Sequence, residues 1–262
     1  RKVKSETFFG KKINLLLPSG TDIFLTGGKS HPSEIRLARF LIRQLGPGDV
    51  FVDVGAHYGY FSLLASVLVG ETGKVFSFEA SESTFAMLEL NSKNVSNLYI
   101  HQKAVTNFNG EISFYEFPNL YSEYNAMDIS QYEDEKWRGG VKPKKINVPT
   151  VSLTSFLEDQ KVIPHLIKID VEGAENAVIE GLLPFLNRES PVVVMEYLSD
   201  DRGNTGHREA EKMLQNRGYL PHIIDEKGNP KPTIDVNKYL NTHQMESENV
   251  VFIRSLPEAP SR

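Results

Sequence analysis

Four acids stand where apolar runs end. Asp53 nearly closes "VFVDV", Glu79 closes "KVFSFE", Asp170 closes "LIKID" and Glu196 lies within "PVVVMEY". Past the first, Gly55 and Gly59 flank "AHY", and glycine lets backbone approach a ligand closely. Past the third, "DVEGAE" sets Glu172 and Glu175 beside Asp170, three acids within six residues. Carboxylates gathered beside a cleft are costly to ionise unless they meet a cation, a proton or hydroxyl groups. Glu175 opens a helix-like pattern, where a carboxylate complements the helix dipole. Asp170 is therefore the acid assigned to chemistry, and Glu172 stands between the two roles.

These acids need a frame. "HPSEIRLARFLIRQLGPGD" reads as a helix with Pro32 in its first turn and Gly46-Pro47-Gly48 ending it. Residues 13–26 read as a hairpin, "INLLL" and "IFLT" joined by "PSGTD". From residue 50 onward strands alternate with helical patterns. Strands at 50–54 and 74–79, then "LIKID" and "PVVVMEY", are each followed by a helix, the second near 82–94 and the fourth near 207–217. "LYIHQKAV" and "EISFYEF" add short strands, the stretch to about 146 reads as irregular, and "YLPHIID" and "NVVFIR" close the chain. This alternation predicts a doubly wound, mostly parallel α/β sheet whose ligands sit beyond the carboxyl ends of the strands. A chain of 262 residues, 40% hydrophobic and 24% charged, is large enough for one such domain.

The first turn narrows the ligand. A dinucleotide fingerprint wants glycine at 57 and 60, and the chain has His57 and Tyr60 there. A phosphate-cradling Gly-Lys-Ser/Thr loop is also missing. Glu79, about twenty residues past Gly59, is placed to accept both hydroxyl hydrogens of a ribose. S-adenosylmethionine offers such a nucleoside without phosphates, and Asp53 can answer the ammonium of its tail directly or through water. The bland alternative is that Asp53 and Glu79 only cap the helices that follow.

"FVDVGAHYGYFSLLA", "VFSFEAS", "KAVTNFNGEISFYEF" and above all "LIKIDVEGAENAVIEGL" resemble the FkbM family of S-adenosylmethionine-dependent methyltransferases. The resemblance runs from about residue 33 to the final "NVVFI". It implies a Rossmann-like class I methyltransferase fold, with a mostly parallel seven-stranded sheet in the order 3-2-1-4-5-7-6 and an antiparallel last strand. It implies a single domain over 1–262: an N-terminal hairpin and helix at 1–46, a core at 47–110 and 147–255, and an acceptor-side insertion at 111–146. It implies O-methylation of a hydroxyl on a sugar, glycan or glycosylated natural product. Carried over by the resemblance, Asp53, Gly55, Ala56 and Gly59 line the cofactor, as do Glu79, Ala80, Ser81 and Asp170. Lys103 and Ala104 fall near adenine. His57 stands where the family often has Asn, which bears on the acceptor side, and Ala80-Ser81 stand where Pro-Asn is common.

Methyl transfer from a sulfonium is an in-line displacement, so positioning the acceptor oxygen supplies much of the acceleration. A sugar hydroxyl must also lose its proton during attack. Asp170, His57 and His31 are candidates to take it. Asp170 with Glu196, helped by Asp200 or Asp201, is the alternative: a Mg2+ site that acidifies the hydroxyl. Lys168 requires a partner if buried, and Glu196 on the next strand is the expected one. His101, His165, His222 and His243 are assigned to packing or solvent. Tyr121, Tyr124 and Trp137 belong to an aromatic-rich stretch suited to a lid or a sugar platform.

A net charge of −5 makes neither nucleic acid nor anionic lipid the default partner. "DVEG" also stands where a nucleic-acid methyltransferase carries an Asn/Asp-Pro-Pro-aromatic loop. No apolar run is long enough to insert in a membrane, and the absence of cysteine excludes disulfides and thiolate metal sites. A small-molecule or glycan acceptor and a cytoplasmic location are the expectations. The competing readings are an NAD-dependent oxidoreductase and a non-catalytic binding module on the same fold. A chain beginning at Arg1 reads as trimmed, or as a piece of a longer polypeptide in which a glycosyltransferase would be the informative neighbour.

Overall fold

The computed structural model describes residues 1–127 and 141–254. It opens with strands β1 (Lys2–Glu6) and β2 (Lys12–Leu16), antiparallel with Glu6 opposite Lys12. Helices α1 (Thr21–Thr26) and α2 (Pro32–Gln44) follow. The hairpin expected over 13–26 is thus displaced upstream. Lys2–Glu6 takes the edge of β2, and "IFLT" coils into a short helix with Ile23 as its buried residue. Gly27, at φ 72°, ends that helix in the left-handed conformation, and a Cβ there would stand 2.9 Å from the Glu6 carbonyl oxygen.

The core begins with β3 (Val50–Val54), α3 (Tyr60–Val69), β4 (Lys74–Phe78), α4 (Glu82–Ser92) and β5 (Leu98–His101). Strands β6 (Ala104–Val105), β7 (Gly110–Glu116) and β8 (Lys144–Val151) form a small separate sheet in the order β6-β8-β7. Next come α5 (Leu153–Gln160), β9 (Leu166–Ile169), α6 (Glu175–Leu186), β10 (Val192–Leu198) and α7 (Thr205–Gln215). The chain ends in β11 (Tyr219–Ile224), β12 (Pro230–Pro232), α8 (Val236–His243) and β13 (Ser247–Arg254).

The main sheet runs β12-β11-β13-β10-β9-β3-β4-β5, with β13 antiparallel to both neighbours. Leaving out β12, this is the expected 3-2-1-4-5-7-6 order. The eighth strand is the difference. Pro230 and Pro232, which lack N–H donors, suit an edge strand and hid it in the sequence. Along each central strand alternate residues face opposite layers. Val52, Phe76, Ile167 and Val193 pack against α5, α6 and α7, while Phe51, Val75, Leu166 and Val194 pack against α2, α3 and the N-terminal hairpin. No helix among the described residues is long and apolar enough to cross a membrane.

Candidate active site

A cavity of about 530 Å³ opens at the carboxyl ends of β3, β4, β9 and β10, a volume typical of small-molecule sites. Its floor is the sheet. Its walls come from α1, the start of α2, the turn after β9 and the segment after β7.

One end joins a buried acid to an apolar wall. Glu79 follows β4 and is buried, with Oε2 accepting from the His57 backbone N–H at 2.8 Å and Oε1 from Ser81 N–H at 3.0 Å. Burial pushes its carboxyl up to about 7, against the pull of those two donors. A carboxylate that lines a cavity without an ion pair is relieved by hydroxyl donors, so the pair of ribose hydroxyls of S-adenosylmethionine fits its chemistry. Beside it, Phe78, Ala80, Ala104, Val105, Phe114 and Met127 make an apolar wall suited to a purine, with Lys103 at its rim.

Several residues expected at the cofactor are buried behind the cavity wall or pack against protein. Asp53 is fully buried, accepts from Ser62 Oγ at 2.6 Å, and presents its other oxygen to Lys168 at 3.3 Å. It is not among the residues that line the cavity. Gly59 packs against Leu88, where a Cβ would come within 2.6 Å of Cδ1. Gly55 does line the cavity, but the close approach it permits is to protein: a Cβ would lie 1.8 Å from the Asp170 carbonyl oxygen. Ala56 is buried, and Ser81 caps α4 through Thr84 N–H and donates to Glu116 at 2.7 Å. Both support the wall rather than form it.

The opposite end gathers charge. Lys168, on β9 directly across from Asp53 on β3, places Nζ 3.2 Å from Asp170 Oδ2 and 3.3 Å from Asp53 Oδ1. It also donates to the Gly55 carbonyl at 3.3 Å. Its partners are therefore Asp53 and Asp170, not Glu196, because parallel register pairs Lys168 with Val194 on β10 and leaves Glu196 two residues beyond. Burial opposes the Lys168 charge, but Asp170 and Asp53 outweigh it and hold the ammonium firmly protonated. Burial likewise opposes ionisation of Asp170, yet Lys168 wins and keeps its carboxyl below the ordinary range.

Glu196 responds in the other sense. Burial and the nearby Asp170, Glu172 and Glu175 push its carboxyl well up, and Asp170 and Glu196 titrate as a pair. Oxygens of Asp170, Glu172 and Glu196 lie within 4.8 Å of one another, a donor set that a hard divalent cation accepts. The turn that brings Glu172 there is left-handed at both Glu172 (φ 53°) and Gly173 (φ 99°). Beneath it, Glu175 accepts from Val171 N–H at 3.1 Å and meets His207 Nε2 at 3.1 Å, both side chains buried.

His57 lines the cavity from a left-handed position (φ 52°), stacked on Tyr58 with its Nε2 3.2 Å from Ser122 Oγ. Burial, then Lys29 and Lys168, push its imidazole down to about 3, so it stays neutral at neutral pH. His31 also lines the cavity, at the cap of α2. Tyr121 packs with Phe117 and Ala126; Trp137 lies outside the described residues, as does the Tyr124 side chain.

Other lining residues were not singled out from the sequence. Lys29, paired with Glu34 at 2.7 Å, and Asp22 reach the cavity from the N-terminal segment. Arg202, paired with Glu246 at 2.7 Å, reaches it from the turn after β10. None belongs to a strand-end motif, so local pattern carries no mark of them. His207 had a signal, since it begins the buried stripe His207, Ala210 and Leu214 of α7.

Strand order, the acid after β4 and the cavity across the strand ends define a Rossmann-like class I methyltransferase scaffold. The family described as the methyltransferase FkbM domain matches residues 53–221, and the chain belongs to that family. It is 25% identical to the hexuronic acid methyltransferase AglP of Haloferax volcanii over 158 residues, 60% of this chain and 59% of that protein. It is also 25% identical to Methyltransferase 1 of Beauveria bassiana over 186 residues, 66% of this chain and 73% of that one. Among solved structures, the O-methyltransferase from Bacillus cereus in complex with SAH is similar at 13% identity and a TM-score of 0.48, covering 91% of this chain and 88% of that chain.

Proposed function

We propose that the chain transfers a methyl group from S-adenosylmethionine to a hydroxyl of a sugar or glycan. The observation that carries this is that one cavity is lined by the buried acid Glu79 at one end and, at the other, by Asp170, ion-paired to Lys168 at 3.2 Å, with Glu196 beside it. The relative named as a hexuronic acid methyltransferase supports a sugar acceptor.

The cofactor supplies an electrophilic methyl on a sulfonium. Everything else falls to the chain. Glu79 holds the nucleoside end through its carboxylate. Asp170, kept ionised by Lys168, accepts the hydrogen of the acceptor hydroxyl and orients its oxygen. Glu196, protonated, hydrogen-bonds Asp170 and lets the pair take up or give back a proton. His57, neutral and held by Ser122 at 3.2 Å, offers a hydrogen bond to the acceptor. On the acceptor side Asp22 and Glu172 stand beside the ion pairs Lys29–Glu34 and Arg202–Glu246, a polar lining that suits polyols.

Magnesium is not needed for this reading. The positive charge that it would bring to Asp170 already comes from Lys168 at 3.2 Å. The test is transfer of labelled methyl from S-adenosylmethionine to a panel of sugars and glycosides, with the product position read by NMR. Label on a ring hydroxyl is the expected result; label only on nitrogen, carbon or a carboxyl would overturn the hydroxyl assignment.

A further inference from the structure

We propose that the corner formed by the β1–β2 turn and α1 docks on an anionic lipid bilayer. Three large apolar side chains stand in solvent there: Phe8 (58% exposed), Phe24 (42%) and Leu25 (72%). They belong to one corner because Phe8 N–H donates to the Gly27 carbonyl at 2.9 Å, and Ser5 Oγ to the Ile23 carbonyl at 3.1 Å. The neighbouring Phe9 behaves differently, turning inward with its ring 5.5 Å from Tyr60. Phe8 is therefore exposed beside a core that takes its neighbour.

The surroundings of this corner are basic. Residues 1–12 hold five basic residues and one acid, although the chain as a whole carries −5. In the β1–β2 register, alternation puts Lys2, Lys4 and Lys12 on the exposed face, with Glu6 across from Lys12 and Lys11 in the turn that carries Phe8. None of these four lysines is ion-paired among the described residues. An excess of lysine in the segment that carries exposed Phe8 matches an interface that offers negative charge outside and hydrocarbon just below. The net charge of the chain hides this local field.

Placement gives the docking a consequence. Thr21, Asp22 and Ile23 of α1 line the cavity, so the same short helix that presents Phe24 and Leu25 outward also walls the acceptor side. Docking sets the cavity mouth at the membrane surface. What the mouth accepts there rests on the methyltransferase reading; the docking does not.

The experiment is co-sedimentation of the whole chain with phosphatidylcholine vesicles, with and without about one third phosphatidylserine. Binding to the anionic vesicles only, weakened by added salt, is expected. Each lysine contributes about fivefold to such partitioning, so Lys2→Gln/Lys4→Gln/Lys12→Gln lowers it by about a hundredfold. Phe8→Ser/Leu25→Ser lowers it independently. Unchanged thermal midpoints identify variants that remain folded, and the salt dependence of the wild type stands without them. Equal binding to neutral and anionic vesicles, or none to either, overturns the proposal. A concentration-dependent dimer abolished by Leu25→Ser, without vesicle binding, would assign the corner to a second copy instead.

Discussion

Replacing Glu79 by Gln removes the one group whose ionisation should govern binding at the nucleoside end. Its carboxyl is 7% exposed and titrates near 7, against an ordinary value of 4.5. Ribose hydroxyls donate to the ionised form, which makes up about one eleventh of the population at pH 6 and about ten elevenths at pH 8. The dissociation constant for S-adenosylhomocysteine should therefore fall by about tenfold between those two pH values. The Gln variant loses the charged acceptor, and its amide N–H₂ must also face the His57 or Ser81 N–H donor. Its affinity at pH 8 should be about ten- to a hundredfold weaker, the worth of one hydrogen bond to a charged group, and flat with pH.

The same shift acts on folding. A carboxyl whose pKa is raised in the native state binds its proton more tightly there. This contribution to stability is whole below about 4.5, declines as pH rises to about 7, and stays lost above. It amounts to roughly 3 kcal/mol, and Gln should abolish it. Isothermal titration and thermal unfolding of both proteins from pH 5.5 to 8.5 measure the two effects. A wild-type affinity that does not change with pH, or a variant that matches the wild type, would refute the role given to Glu79.

Lys168→Met leaves the buried Asp53 and the half-buried Asp170 without their cation and should destabilise the fold by about 3–5 kcal/mol, read in denaturant titrations. A loss below about 1 kcal/mol would show that water replaces the ammonium. Gly55→Ala places a Cβ 1.8 Å from the Asp170 carbonyl at a φ of 77°, so soluble folded protein should fail to accumulate; a normal yield with native circular dichroism would contradict the geometry. Exhaustive chelation should leave methyl transfer unchanged, because Lys168 already neutralises Asp170; a loss restored by magnesium would replace that account.

The strand-end acids were legible because consecutive parallel strands all present their carboxyl ends to one side, so an acid closing each apolar run falls beside the same cleft. What each acid does there was not legible. Asp53 and Glu79 look alike in sequence, yet cross-strand register pairs Asp53 with Lys168 beneath the floor and leaves Glu79 at the surface of the cavity. The partner of Lys168 was misplaced for the same reason: register is set by packing across the sheet, not by the residues of one strand. The glycines were found but their reasons were different, since close approach to the Asp170 carbonyl and to Leu88 is a long-range property. Helix α1 and strand β8 were missed locally: six residues with one buried side chain, and a polar "KKINVPTV" stabilised by pairing with β7, carry little periodic signal. Lys29 and Arg202 reach the site from segments far apart in the chain, joined only by the fold.

Asp170→Asn tests the central claim most directly, because it keeps the shape of the side chain while removing the charge that Lys168 stabilises, and Lys168 retains Asp53. Affinity for S-adenosylhomocysteine and kcat for methyl transfer are to be measured on the same preparation. The account predicts affinity within about threefold of wild type and kcat lowered by about 10²–10⁴-fold, the range of a lost proton acceptor. A variant that keeps wild-type kcat would contradict it, and the proton of the acceptor hydroxyl would then have to leave by a path that does not pass through Asp170.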